Sequence, residues 1–277
     1  MRLAPVLLVS ASLAVATDAA AQQSEVHTFH CLHGCPVGAP ATNDLVVREI
    51  YTLSSNDLTK LADWVAYRVT KESVGQSGDR EWRADPWLAA DETLRPGDYD
   101  AASDTLHVDR GHQAPLASFS GTPSAADTNV LSNITPQSSA LNQGPWVRLE
   151  DEERDLAQRL AMPVYVLTGP LFERMMRPLP GTAAIHRVPS GYWKVVALAD
   201  GRVTAFVFDQ TDPRRKDHCS ARVTLQHVQL RARLFIFPDA VVTPVSLDSE
   251  LGCPEAAPAD PTPAEIPAEP RTSRKRR

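Results

Sequence analysis

The strongest constraint on the fold is a pair of β-rich runs in the C-terminal half of the chain. Residues 192–199 and 203–208 are rich in β-branched and aromatic side chains, and Asp200-Gly201 lies between them. Asp-Gly between two such runs is typical of a tight turn, so the runs are predicted to form a β-hairpin. The fold must therefore contain antiparallel sheet.

The other apolar patterns mix strands and helices without regular alternation. Strands are predicted over residues 46–53, 164–167 and 234–237, and helices over residues 57–69 and 224–231. The first helix is predicted from the helical spacing of Leu58, Leu61, Trp64, Val65 and Tyr67. This mixture favours the α+β class, with a central antiparallel β-sheet flanked by helices.

The first residues have the features of a secretory signal. Arg2 precedes an apolar stretch over residues 3–16, and Ala19-Ala20-Ala21 offers a small-residue cleavage site. Residues 1–21 are therefore predicted to be a signal peptide, and the mature protein is expected in the periplasm or outside the cell. A buried N-terminal helix is the alternative, which Asp18 fits poorly. No later stretch reaches the roughly 18 apolar residues of a membrane span, so no membrane association is expected.

Four cysteines remain in the mature chain: Cys31, Cys35, Cys219 and Cys253. An even number in an exported protein predicts two disulfides, and four cysteines allow three pairings. We favour pairing of the two close cysteines, which leaves the two distant ones to pair with each other. A metal site is the alternative, because His27, His30 and His33 surround the close pair.

The chain is expected to contain one folded domain, residues 22–253, followed by a tail. Residues 254–277 contain six prolines and end in Arg274-Lys275-Arg276-Arg277. Such a segment cannot bury enough apolar surface to fold, so it is predicted to be a disordered, solvated tail.

A histidine at the end of a predicted strand is the first candidate for chemistry. Residues 106–110 have strand character, and Gly111 then permits a close backbone approach just before His112. Imidazole suits general-base catalysis because its ordinary pKa of about 6.5 leaves it neutral near neutral pH. Activity is then expected to fall below roughly pH 6. By itself, a single histidine is more often structural.

A predicted helix thirty residues later supplies candidate metal-binding groups. Pro145 is tolerated only in a first helical turn, so the helix is expected to begin near residues 143–145. Asn142, Trp146 and Glu150 then lie near one face. The Asn142 amide oxygen is a ligand type that Mg²⁺ accepts. Glu150 lies about 12 Å further along the axis, so it is better placed to hold a metal-bound water than the ion.

Several motifs together resemble the DNA/RNA non-specific endonucleases, a family of ββα-metal (His-Me finger) nucleases. The matching segments are residues 109–117 (DRGHQAPLA), 131–137 (LSNITPQ), 141–150 (LNQGPWVRLE), 167–171 (LTGPL) and 189–195 (PSGYWKV). The similarity spans about residues 31–253. It implies a ββα-metal finger that forms the active site, and it implies the disulfide pairing favoured above.

The resemblance implies the cofactor and the central catalytic roles. His112 corresponds to the general base that activates water, and Asn142 to the single direct protein ligand of Mg²⁺, for which Mn²⁺ could substitute. Glu150 corresponds to the carboxylate that orients a metal-bound water. DNA and RNA would both be cut, leaving 5′-phosphate ends. A homodimer is compatible with the resemblance, because secreted members of the family are often dimers.

The resemblance also implies three supporting residues. Arg80 corresponds to an arginine that stabilises the charged phosphorane, Arg110 to one that flanks the base and contacts the phosphate, and Asn133 to a polar residue that supports the site. Because the formal net charge is −6, the protein as a whole does not attract nucleic acid, and phosphate contacts are expected from a few arginines. Substrate binding is therefore expected to be weak and to fall steeply with salt.

Three other functions are compatible with parts of the sequence. A non-catalytic nucleic-acid-binding module with the same fold would retain the surface but cut nothing. An envelope phosphodiesterase would act on small esters without nicking circular DNA. A structural secreted domain would leave the clustered polar motifs unexplained.

Overall fold

The computed structural model describes residues 24–76, 78–160, 162–240 and 245–255. The predicted signal peptide lies outside the described residues, as does the predicted tail from residue 256 onward. Among the described residues, no helix combines the length and the apolarity that crossing a bilayer requires.

Strands dominate the fold. They are β1 (Asp44–Val47), β2 (Tyr51–Asn56), β3 (Leu61–Val69), β4 (Val108–His112), β5 (Ile134–Ser138), β6 (Val164–Leu171), β7 (Gly191–Ala197), β8 (Val203–Asp209) and β9 (Arg222–Val223). The α-helices are α1 (Ala102–Leu106), α2 (Ser139–Leu141), α3 (Val147–Leu160) and α4 (Leu225–Ala232). A π-helical turn, Asn142–Trp146, joins α2 to α3. Short 3-10 turns are Pro96–Tyr99, Leu116–Ser118, Ala125–Asn129, Leu131–Asn133, His218–Ala221 and Ser249–Leu251.

A seven-stranded antiparallel sheet forms the centre of the molecule, in the order β1-β2-β3-β6-β7-β8-β9. Alternate residues of each strand enter cores on opposite faces. On β3, Val65 and Tyr67 pack in the core that includes Leu149 and Leu156 of α3, whereas Trp64 packs in the core that includes Val228 of α4. The expected α+β class, with a central antiparallel sheet flanked by helices, is confirmed.

The helix predicted over residues 57–69 is wrong. The segment is a turn followed by strand β3, and Leu58, counted toward the helical pattern, is exposed. A strand that is covered on both faces has apolar residues at nearly every position, so its pattern lacks the alternation of a half-buried strand. Several spacings within such a run then match a helix by chance.

Two strand predictions also need correction. The strand predicted over residues 46–53 is two strands, because the backbone turns after Val47 and the Arg48 amide donates to the Tyr51 carbonyl at 2.9 Å. The strand predicted over residues 234–237 is buried at Ile236 but forms only an isolated bridge between Phe235 and Val37. Burial without a continuous hydrogen-bonding neighbour does not make a strand.

The strand predicted over residues 106–110 is instead β4, Val108–His112, because Leu106 ends helix α1, and three further element predictions are confirmed. Strands β7 and β8 form the hairpin across Asp200-Gly201, where Gly201 has φ of +95°. The strand predicted from Val164 extends to Leu171, and the helix predicted over residues 224–231 is α4.

A second, two-stranded sheet carries the candidate histidine. Strands β4 and β5 pair antiparallel, with His112 opposite Ile134 and Gly111 opposite Thr135. A Cβ at Gly111 would lie 2.6 Å from the Cβ of Gln137. The Gln137 side chain therefore packs directly on the Gly111 backbone, which is the close approach expected from the sequence. The two strands followed by α3 form the ββα unit.

Both favoured disulfides are present, Cys31–Cys35 with a Cα–Cα distance of 4.8 Å and Cys219–Cys253 with 5.4 Å. The alternative metal site is excluded, because a disulfide sulfur offers no thiolate ligand. His30 is buried instead against the Thr52 hydroxyl and the Glu49 carbonyl.

Candidate active site

One cleft of about 780 Å³ collects most of the candidate residues. His112 at the end of β4, Asn142 at the start of the π-helical turn and Glu150 on α3 all line it. Arg80 and Arg110 line it as well. One strand, a π-helical turn and a helix therefore place an imidazole, an amide and a carboxylate around one space.

His112 is held in one orientation by a residue that the sequence analysis did not single out. Its Nε2 lies 3.0 Å from Oδ1 of Asn129, and the Trp82 ring packs against it with centroids 5.3 Å apart. Because an amide oxygen only accepts hydrogen bonds, neutral His112 carries its proton on Nε2 and has its unprotonated lone pair on Nδ1.

Burial lowers the pKa of His112 to about 4; the hydrogen bond that Oδ1 of Asn129 accepts opposes this shift, and the charge of Arg80 adds to it. The imidazole therefore remains neutral well below pH 6. A lowered pKa moves the expected protonation of His112, and any loss of activity that follows from it, to a lower pH.

Asp109 orients the Asn142 side chain. Its Oδ2 accepts hydrogen bonds from Nδ2 of Asn142 at 2.8 Å and from Nε2 of Gln143 at 2.9 Å, while its Oδ1 accepts from Ser139 at 2.6 Å. Holding the amide nitrogen in this way leaves Oδ1 of Asn142 as the outward-facing acceptor, which is the atom that a hard cation requires.

The backbone around Asn142 differs from the predicted simple helix start. Residues Asn142–Trp146 form a π-helical turn in which Gly144 has non-helical angles, and the regular helix begins only at Val147. Pro145 lies in this turn and so interrupts no α-helical hydrogen bond of α3. The kink changes the expected common face, yet Asn142 and Glu150 still line the same cleft.

Glu150 belongs to a buried charged network behind the cleft. Lys194 on β7 is fully buried, with Nζ 2.9 Å from Oε1 of Glu153, 3.8 Å from Oε1 of Glu150 and 4.2 Å from the Trp146 ring centroid. The Tyr67 hydroxyl donates to Glu153 at 2.9 Å. Burial raises the pKa of Glu150 to about 7, and the Lys194 ammonium opposes that rise.

The two candidate arginines are held differently. Arg110 donates to the Pro96 carbonyl at 2.9 Å, and its guanidinium lies 5.2 Å from the Tyr99 ring centroid and 5.7 Å from that of Trp82. Arg80 is exposed at the cleft rim beside His112. The guanidinium of Arg110 is thus held in place by its neighbours, whereas the exposed side chain of Arg80 is not.

Asn133 lies behind the cleft rather than in it. Its side chain is fully buried, donates to the carbonyls of Ala114 and Thr128 at 2.9 Å each, and accepts from the Ala114 amide at 2.8 Å. Every one of these hydrogen bonds is to backbone, so the Asn133 side chain holds the backbone of the turn after His112 and does not line the cleft.

The donor set in the cleft fits a hydrated divalent cation. Oδ1 of Asn142 is available while its Nδ2 is occupied, and the Glu150 carboxylate lines the same space. One direct oxygen ligand with a nearby carboxylate suits Mg²⁺, which retains several waters.

Three residues that act in the site were missed as separate candidates: Asp109, Asn129 and Lys194. Asp109 and Lys194 lie within motifs that were recognised, but no local pattern shows that Asp109 contacts Asn142 or that Lys194 contacts α3. Asn129 lies in a 3-10 turn with no sequence signal of its own.

Comparisons with known proteins agree with this geometry. The model of the family described as DNA/RNA non-specific endonuclease matches residues 34–242. "Nuclease" of Serratia marcescens is 46% identical over 249 residues, covering 87% of this chain and 93% of the relative. Mitochondrial endonuclease G of Homo sapiens is 37% identical over 179 residues, covering 58% of this chain and 57% of the relative.

A solved structure of an EndoG/EndoGI complex shares the fold, with a TM-score of 0.62 at 23% identity over 73% of this chain and 88% of that chain. With the family model matching most of its length and the Serratia relative covering nearly all of it, this chain belongs to the DNA/RNA non-specific endonuclease family and is a nuclease.

Proposed function

We propose that this nuclease is an exported, Mg²⁺-dependent enzyme that cuts DNA and RNA internally with little sequence specificity and leaves 5′-phosphate ends. The observation that carries the proposal is the shared cleft of His112 and Asn142, in which each side chain is oriented by its own partner, Asn129 and Asp109. Export is supported by the two disulfides, which are typical of oxidising compartments, and by the signal-like residues 1–21.

His112 performs the proton transfer in this mechanism. Its Nδ1 takes a proton from the attacking water as the water oxygen bonds to phosphorus, while Oδ1 of Asn129 accepts a hydrogen bond from the Nε2–H group and stabilises the imidazolium. The bond from phosphorus to the 3′-oxygen then breaks and the departing oxygen takes a proton from solvent water, which leaves a 5′-phosphate and a 3′-hydroxyl.

Arg80 and Arg110 stabilise the charge that develops on the non-bridging oxygens. Arg110 is already fixed against Tyr99 and Trp82, so little side-chain entropy is lost when it binds phosphate. Asn142 would hold the cation directly, and Glu150 would hold one of its waters. A bound Mg²⁺ supplies positive charge near the scissile phosphate and the departing oxygen.

Low sequence specificity is supported by the chemistry of the cleft lining. The lining contains arginines and acidic and amide side chains around His112, and helix α3 contributes the charged side chains of Glu150 and Arg154 to it. Contacts to phosphate and sugar carry no sequence information.

The decisive test is digestion of supercoiled plasmid and of a long RNA with Mg²⁺. Nicking of circular DNA, degradation of RNA, and loss of both with chelator or with His112→Ala are expected. Hydrolysis of small phosphodiesters without nicking would favour the phosphodiesterase alternative. Binding without cleavage would favour the non-catalytic module.

Replacing Mg²⁺ with Mn²⁺ tests the cofactor, and end-labelling of the products tests for 5′-phosphates.

A further inference from the structure

We propose that Arg214 binds the substrate phosphate one nucleotide to the 5′ side of the scissile bond. The inference rests on the proposed function and extends it, because Arg214 lies outside the set of residues that performs the chemistry. It assigns a second phosphate subsite to the loop between β8 and the 3-10 turn His218–Ala221.

This loop is packed directly against the turn that follows Asn142. A Cβ at Gly144 would lie 2.7 Å from the carbonyl oxygen and 2.8 Å from the Cα of Arg214. Only glycine permits this approach. The backbone that carries Arg214 is therefore in contact with the segment that presents Asn142.

Side chains on both sides fix the loop. Arg148 on α3 donates to the carbonyl of Arg214 at 3.2 Å and also to the carbonyl of Lys216. Within the loop, the Lys216 ammonium pairs with Asp212 at 2.8 Å. Arg148 and Lys216 are engaged in these contacts, whereas the guanidinium of Arg214 forms no ion pair among the residues that the structure describes.

Arg214 is exposed, lines the cleft, and pairs with no carboxylate among the residues that the structure describes. Other arginines on the surface are neutralised, such as Arg174 by Asp209 at 2.6 Å and Arg231 by Glu173. In a protein with a formal net charge of −6, an unpaired guanidinium at the cleft wall is a ready contact for phosphate.

The reaction geometry gives the direction of the strand. Arg80 lies near enough to His112 to lower its pKa, whereas Arg214 adjoins Gly144, two residues after Asn142. In the proposed mechanism the departing 3′-oxygen lies near the cation that Asn142 would hold, so we assign Arg214 to the departing strand. The sugar that carries this oxygen bears, on its own 5′-carbon, the phosphate that Arg214 would meet.

The test uses a thymidine pentamer with one cleavable bond. Its first linkage is a phosphodiester and the other three are methylphosphonates, which are neutral and resist hydrolysis. The pentamer is made with and without a 5′-phosphate, which occupies the position assigned to Arg214. In the wild-type enzyme with Mg²⁺, the 5′-phosphate is expected to lower KM by about tenfold, as charge-assisted hydrogen bonds allow.

Arg214→Ala is expected to abolish the response to the 5′-phosphate, and Arg214→Lys to retain part of it because the charge remains. Arg215→Ala is the matched control, since it removes the same charge from the neighbouring position, which does not line the cleft. On long single-stranded DNA, Arg214→Ala should reduce the slope of log kcat/KM against log salt by about 0.7, the value for one lost phosphate contact.

An unchanged response in Arg214→Ala, or an equal loss in Arg215→Ala, would overturn the assignment. So would a wild-type enzyme that cleaves both pentamers with the same KM. In each of these cases the proposed function would stand, because cleavage itself occurs. Failure of the proposed function is a different result: the wild-type enzyme would leave plasmid and RNA intact, or His112→Ala would be as active as wild type.

Discussion

Nε2 of His112 lies 3.0 Å from Oδ1 of Asn129, a residue 17 positions further along the chain. The contact selects the imidazole tautomer in which Nδ1 is the unprotonated nitrogen. Asn129→Ala should therefore reduce kcat by roughly 10- to 100-fold, part of the effect that a general base contributes, with a smaller change in KM. Steady-state kinetics on plasmid DNA measures this. The double variant His112→Ala/Asn129→Ala should have the same kcat as His112→Ala alone. A lower kcat in the double variant would show that Asn129 does not act through His112.

The acid limb of the pH profile should be set by Glu150 rather than by His112. Catalysis requires a neutral imidazole and an ionised carboxylate. The pKa of His112 is lowered to about 4 by burial, whereas burial raises the pKa of Glu150 to about 7. As pH falls, Glu150 is thus protonated first. We expect kcat/KM to decline below about pH 7 at low Mg²⁺, and the limb to move to lower pH as Mg²⁺ is increased, because a cation favours the carboxylate.

Glu150→Gln serves as the control for this profile. The residual activity of this variant is expected to be lower than that of the wild type. Its pH profile of kcat/KM should lack the acid limb near pH 7 and stay flat down to about pH 5. A limb that stays near pH 7 in Glu150→Gln would contradict the assignment.

Lys194→Met should destabilise the fold and shift the pH profile together. Lys194 and Glu153 are both fully buried and lie 2.9 Å apart, so removing the ammonium leaves a buried carboxylate without its counter-charge. The free energy of unfolding should fall by about 3–5 kcal/mol in urea titrations. The acid limb should move to higher pH, because Lys194 opposes the raised pKa of Glu150. Lys194→Met with Glu153→Gln should regain most of the stability; if it does not, packing rather than charge explains the loss.

Asp109→Ala should weaken metal binding more than it weakens the fold. Asp109 holds the amide nitrogen of Asn142 at 2.8 Å, and loss of such an orienting partner typically reduces metal affinity by about 10- to 100-fold. The Mg²⁺ concentration for half-maximal activity should rise accordingly, with much of kcat recovered at saturating Mg²⁺. An unchanged Mg²⁺ requirement would remove Asp109 from this role. The Mg²⁺ requirement of Asp109→Ala is compared with that of Gln143→Ala, which removes another partner of the same carboxylate.

The two disulfides should contribute unequally to stability. Cys219–Cys253 closes a separation of 34 residues and Cys31–Cys35 one of 4. Loop-closure entropy predicts a loss of roughly 4 kcal/mol when the first pair is replaced by serine and roughly 2 kcal/mol for the second. Chemical denaturation of the two double-serine variants measures the difference, and an equal loss would contradict the entropic account.

The sequence by itself determined which residues are candidates for the reaction. His112 after Gly111 and Asn142 before Pro145 are short patterns, and their proposed roles come from the resemblance of the surrounding motifs to a known family. The hairpin of β7 and β8 was equally predictable, because the Asp200-Gly201 turn and its flanking β-branched residues act within one short segment. Strand β3 was not, because a strand buried on both faces has no alternating pattern to distinguish it from a helix.

Only the tertiary structure decided which distant residues orient those groups. Asn129 reaches His112, Asp109 reaches Asn142, and Lys194 reaches Glu153 across 17, 33 and 41 positions of sequence. A sequence pattern reports the period and burial of a segment, whereas a hydrogen bond or an ion pair depends on how two segments pack in space. For the same reason, the pKa values of His112 and Glu150 reverse their ordinary order only once the fold has buried both groups.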